Sequence, residues 1–213
     1  MNRYSLESLT LLGALAWILV MSLPALADET QKVDSDKFAS DVYRQRCESC
    51  HGAQLEGGKG IPSLRDGDLA WGGSHNSLVR TIRFGIRVPG NSQSHSGVMP
   101  AFKTNAAEFS DAEVDELVEY LMDLRGESND AAAALRGKEN FTWCVACHGA
   151  DARGIPAVGG TNLLRKKLQY GATRKDFFQS VANGRAGTCP SWEGKLDEKS
   201  IQALAKYIET KQH

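Results

Sequence analysis

Apolar residues recur at helical spacing in stretch after stretch of this chain, and a two-residue alternation of the strand type is essentially absent. Phe38, Val42 and Arg46 outline the first stretch, Leu78 to Phe84 the second, and Val114, Leu117, Val118 and Leu121 the third. Then come Leu135, Lys138 and Phe141, next Phe177 to Ala182, and finally Ile201, Leu204, Ala205 and Ile208. Ser110-Asp111-Ala112-Glu113 opens the third stretch as a capping box, in which a hydroxyl and a carboxylate satisfy the free amides of a new helix. Asp197 suits the N-cap of the last. The stripes predict helices buried along one face.

Read in order, the first three stretches recur as the last three, with a period of roughly ninety residues. The segments between them recur too. Gly57-Gly58-Lys59-Gly60-Ile61-Pro62 is matched by Gly154-Ile155-Pro156, and Leu69-Ala70-Trp71-Gly72 by Leu168-Gln169-Tyr170-Gly171. Gly85 is matched by Gly184-Arg185. Short, polar Gly126-Glu127-Ser128-Asn129-Asp130 reads as a linker. The expectation is an all-α protein of two domains, 28–126 and 127–213.

Ahead of the repeats, Leu9 to Leu23 is almost wholly apolar, Arg3 precedes it, and Ala25-Leu26-Ala27 fits the small-x-small cleavage rule. Residues 1–27 therefore read as a signal peptide, which places the mature chain in the periplasm. An uncleaved segment would instead be just long enough to anchor the chain in a bilayer. Charge changes the picture little. The chain has 25 basic and 26 acidic residues, so no nucleic acid or other polyanion partner is implied. Aromatics make up only 8%, which leaves two small cores thin unless a large apolar group fills them.

The repeats supply the place for such a group. Cys47-Glu48-Ser49-Cys50-His51 and Cys144-Val145-Ala146-Cys147-His148 both read Cys-x-x-Cys-His, the attachment pattern of a c-type haem. Two thiols on one helical turn can each add across a vinyl group, and the histidine that follows can bind iron from below. A redox dithiol would not need the histidine, and zinc would want a second ligand pair nearby. Two covalently bound haems c follow, on Cys47, Cys50, Cys144 and Cys147, with His51 and His148 as iron ligands. Thiol attachment agrees with export.

A helix bearing Cys-x-x-Cys-His, a later Met99-Pro100 and a final amphipathic helix together resemble class I cytochrome c. The tandem arrangement, with Trp71-Gly72-Gly73 and Tyr170-Gly171, is similar to the diheme subunit of C-family haem–copper oxidases across nearly all of residues 36–210. That resemblance implies two tandem class I cytochrome c domains. It also implies a methionine as the distal ligand. Met99 lies in a loop, 48 residues after His51, and fits; His75 and His95 are competitors, read as loop histidines facing solvent. The second copy has no methionine. Repeat alignment sets Cys189-Pro190 over Met99-Pro100, 41 residues after His148, so Cys189 takes the ligand's place. Lys195, Lys166, Lys167 and His213 are the alternatives.

A thioether favours Fe(II) and a thiolate Fe(III), so unlike sulfur ligands would separate the potentials by on the order of hundreds of millivolts, within the roughly 0.8 V that haem ligation spans. The pairing expected from chain order is His51 with Met99 at high potential and His148 with Cys189 at low potential. The function implied is an exported electron carrier or electron-transfer subunit between a donor dehydrogenase and a terminal oxidase, in preference to an independent enzyme. Oxidation of a small sulfur compound such as thiosulfate at the His/Cys haem is the alternative. A third reading is a gas-responsive module from which Cys189 dissociates on reduction.

Overall fold

A computed structural model describes residues 34–66 and 69–212. The leader assigned to 1–27 lies outside them. The described residues form helices and loops with no strand, and no helix among them is long and apolar enough to cross a membrane. The main helices are α1 (34–46), α2 (Glu48–His51), α3 (His75–Phe84), α4 (Asp111–Leu124), α5 (Ala131–Asn140), α6 (Val145–His148), α7 (Arg174–Asn183) and α8 (Glu198–Lys211). The predicted caps are present. Ser110 and Glu113 bond reciprocally at α4, Asp197 receives the Ser200 amide at α8, and Thr173 with Asp176 builds a second box at α7.

The turn after α4 directs the rest. Gly126, at φ +72°, takes the left-handed position that ends the helix. Its N–H reaches Asp123 O (2.8 Å), and the Glu127 N–H reaches Met122 O (2.7 Å). The chain reverses there, and Asp130 caps α5 by accepting from the Ala133 amide. Helix α5 then lies against α4. Arg136 bonds Glu116 at 2.5 Å, and Gly137 sits directly on the Glu116 carbonyl.

Because α4 is committed to α5, the apolar stripes do not pack within their own repeat. Val114, Leu117, Val118 and Leu121 of α4 share a cluster with Phe141, Cys144, Phe177 and Val181, all from the second repeat. Leu204, Ala205 and Ile208 of α8 pack with Tyr43, Leu55, Leu64 and Leu78 of the first. The Tyr43 and Tyr207 rings lie 5.7 Å apart. The two sequence repeats thus exchange their last helices. One packing unit is continuous in sequence, and the other joins the two ends of the described chain.

Leu204 is fully enclosed at 0% exposure. Leu204→Ala is expected to cost about 2–5 kcal/mol, the usual range for a leucine lost from a packed core. Hydrogen exchange should show protection falling over 34–46 and 75–84 while α7 keeps its own. Loss of protection in α7 instead would contradict the exchange.

Candidate haem sites

Each Cys-x-x-Cys-His sequence coils into one helical turn. The His51 amide reaches Cys47 O at 2.9 Å and the His148 amide reaches Cys144 O at 2.8 Å. Gly52 (φ +80°) and Gly149 (φ +75°) then turn the chain away. The following loop comes back beneath each imidazole. His51 Nδ1–H donates to the Pro62 carbonyl (3.1 Å) and His148 Nδ1–H to the Thr161 carbonyl (2.9 Å). A carbonyl can only accept, so this fixes the proton on Nδ1 and leaves the Nε2 lone pair for a metal. Burial holds both imidazole pKa values below the ordinary value, with the carbonyl bonds opposing it. The neutral ring is the ligating form.

These two carbonyls were not legible in the sequence. The expected match of Pro62 with Pro156 does not hold. Gly57 and Gly154 both return to the histidine carbonyl, and Leu64 and Leu163 bond to Leu55 and Ala152, all at 2.8 Å. That register sets Thr161 beside Pro62, while Pro156 opens a short turn of its own, Pro156–Val158. A longer second loop moved the proline out of register.

None of the five cysteines pairs in a disulfide. Cys50 and Cys147 are exposed, whereas burial pushes the Cys47 and Cys144 thiols up to about 12. Paired thiols on one turn, with an imidazole held so that its bare nitrogen is available, suit the covalent attachment and proximal ligation of a haem.

Met99 and Cys189 stand in matched backbone settings but on exchanged sides. The Met99 amide and carbonyl pair with Arg185 (3.1 and 2.9 Å), and those of Cys189 pair with Ile86 (3.1 and 2.9 Å). Met99 packs on the cluster that holds Cys144 and Phe177. Cys189 lies near the other motif. Its pKa is raised by burial and then by Cys50, and Cys47 is in turn raised by burial and then by Cys189. The two residues thus lie on the sides opposite to those that chain order suggests. Met99 stands with the half that contains His148, and Cys189 with the half that contains His51, because each of these loops travels with the helix it precedes.

The competitors have other engagements. His75 begins α3, with Nε2 2.6 Å from Gln202 Oε1, and His95 stacks on Trp71 at 4.1 Å with Nε2 3.1 Å from Thr81 Oγ1. Both are half-buried rather than open to solvent. Lys195 bonds the Ser191 carbonyl, Lys166 and Lys167 are exposed, and His213 lies outside the described residues. Trp71 reaches across to Gly159, and Tyr170 packs against Gly60, so each aromatic bridges to the opposite repeat. Arg125 was missed by the sequence reading. Its guanidinium donates to the Leu163 and Arg165 carbonyls (2.9 and 2.7 Å) across the repeat boundary, where periodicity gives no signal.

Two helical units, each presenting paired thiols and a prepared imidazole on one turn, define the class: this is a c-type cytochrome. The chain belongs to the family of cytochrome c oxidase, cbb3-type, subunit III, whose model matches residues 38–121 and again 132–208. It is 38% identical over 172 residues to the cbb3-type cytochrome c oxidase subunit FixP of Bradyrhizobium sp. (strain ORS 278), covering 78% of this chain and 58% of that protein. It is 36% identical over 173 residues to the subunit CcoP of Azospirillum brasilense, with the same 78% and 58% coverage. With a CcoP subunit of Rhodobacter capsulatus it shares 32% identity over 201 residues, 90% of this chain and 67% of the relative. The chain thus spans a little over half the length of the first two.

Proposed function

We propose that this protein carries two covalent haems c, one on Cys47 and Cys50 with His51 and Cys189 as axial ligands, the other on Cys144 and Cys147 with His148 and Met99. When bound, such haems supply one-electron exchange between Fe(III) and Fe(II). The chain's own contribution is to hold them with unlike sulfur donors. The matched backbone pairs Ile86–Cys189 and Arg185–Met99 carry this reading, since they give the thiol the same setting as the thioether. A thiolate lowers the potential of the first site and a thioether raises that of the second. Electrons then run downhill from the first attachment site to the second, the reverse of the direction expected from chain order.

The redox partners fitting this role are a donor dehydrogenase on the low-potential side and a terminal oxidase on the other. The names of the relatives, as subunits of cbb3-type cytochrome c oxidases, favour the oxidase. The haem units work on the periplasmic side, with residues 1–27 as the export signal. The test combines haem quantitation with low-temperature EPR. Two haems per chain are expected, together with a rhombic low-spin thiolate signal that disappears in Cys189→Met. A single haem, or a thiolate signal that survives in the variant, overturns the assignment.

A further inference from the structure

The two ligand-bearing loops cross between the units, and Arg87 stands at the crossing. Its Nη1–H donates to the carbonyl of Gly97, two residues before Met99. A Cβ built on Gly187, two residues before Cys189, would stand 3.0 Å from the Tyr170 hydroxyl and 3.9 Å from Arg87 Nη2. The backbone of Arg87 is itself unusual. It adopts φ +53°, a left-handed conformation that costs a residue with a Cβ about 1 kcal/mol or more. The Arg87 amide is tied to His95 O at 2.7 Å, so the surroundings hold it there.

The guanidinium is only partly satisfied. Nε is enclosed and finds no acceptor among the described residues. Burial holds the pKa of Arg87 below its ordinary value, and no carboxylate among the described residues opposes it. The other arginines of this region have partners. Arg185 lies over the Tyr170 ring and donates to Ser180 Oγ (3.1 Å), while Arg125 meets Glu127 at 3.3 Å. A half-buried guanidinium with a free donor is open to an anion, and its planar fork of donors is the natural complement of a carboxylate. A haem brings two propionate carboxylates, and Trp71 beside Gly97 and Tyr170 beside Gly187 bring both repeats to this crossing.

We propose that Arg87 binds a haem propionate where the two ligand loops cross, and thereby helps set the potential of that haem. This rests on the two haems proposed above, and haem quantitation on the wild-type chain tests that premise separately. The experiment is a spectroelectrochemical titration of both centres in the two-haem protein and in Arg87→Gln and Arg87→Lys. Losing the cation leaves propionate charge unneutralised, which favours Fe(III). One midpoint potential should therefore fall in Arg87→Gln, and Arg87→Lys should restore most of the shift. Both potentials unchanged at full haem content would overturn the proposal. Should Arg87→Gln not retain its haems, resonance Raman of Arg87→Lys decides. A shifted propionate bending band supports the contact, and a band identical to that of the wild type rejects it.

Discussion

Met99→Leu is expected to open the haem attached at Cys144 and Cys147 and to leave the one at Cys47 and Cys50 closed. Chain order alone would forecast the opposite. The expectation follows from packing, because Met99 belongs with Cys144 and Phe177, and its backbone is fastened to Arg185 of the second repeat. Leucine fills a similar volume, so the core cost should stay below about 1.5 kcal/mol and the effect should be confined to the ligand. A chain with Cys47→Ser and Cys50→Ser keeps only the second attachment site and gives a clean readout. In that background, Met99→Leu should abolish the red absorption band of methionine-bound Fe(III) and let CO bind rapidly to the reduced haem. Cys189→Ala should do neither. If Cys189→Ala were the change that opened this haem, the exchanged arrangement would be wrong.

Gly137→Ala is expected to destabilise the protein severely, although helix propensity argues the other way. In an exposed helix interior, alanine is favoured over glycine by about 1 kcal/mol. Here an added Cβ would fall well inside van der Waals contact with the Glu116 carbonyl oxygen and carbon and would stand 2.8 Å from the Leu117 nitrogen, all backbone atoms that no rotamer change can move. Helices α4 and α5 would have to separate along a seam that also buries Leu117 and Val118 at 0% and 3% exposure. Overpacking of a well-filled contact costs about 1–3 kcal/mol, and a backbone collision belongs at or beyond the upper end. Packing wins over propensity. A net loss of about 2 kcal/mol or more should lower the melting temperature by roughly 4–8 °C for a chain of this size. A melting temperature equal to or above that of the wild type would show that the α4–α5 contact is not as tight as described.

The exchange itself has a simple energetic origin. The stripe on α4 could cover either motif helix, since the two repeats offer similar apolar faces and burial alone does not choose between them. The link does choose. Only residues 125–130 separate α4 from α5, whereas α1 is roughly ten times farther from α4 along the chain. Closing the longer loop costs about 2 kcal/mol more by chain entropy, and the left-handed turn at Gly126 already points the chain back along α4. With α5 taken, α1 is left to α8.

Local information in the sequence was enough for the helices, their caps, the two attachment turns and the equivalence of Met99 with Cys189. Each depends on residues a few positions apart, or on comparing one repeat with the other, so periodicity and spacing carry them. The sequence did not show which half of the molecule Met99 and Cys189 each join, that Thr161 rather than Pro156 supports His148, or that Arg125 bonds across the repeat boundary. Those depend on which of two nearly equivalent surfaces a helix covers. A repeated sequence leaves that choice open, and tertiary structure decides it through the length and handedness of one short turn.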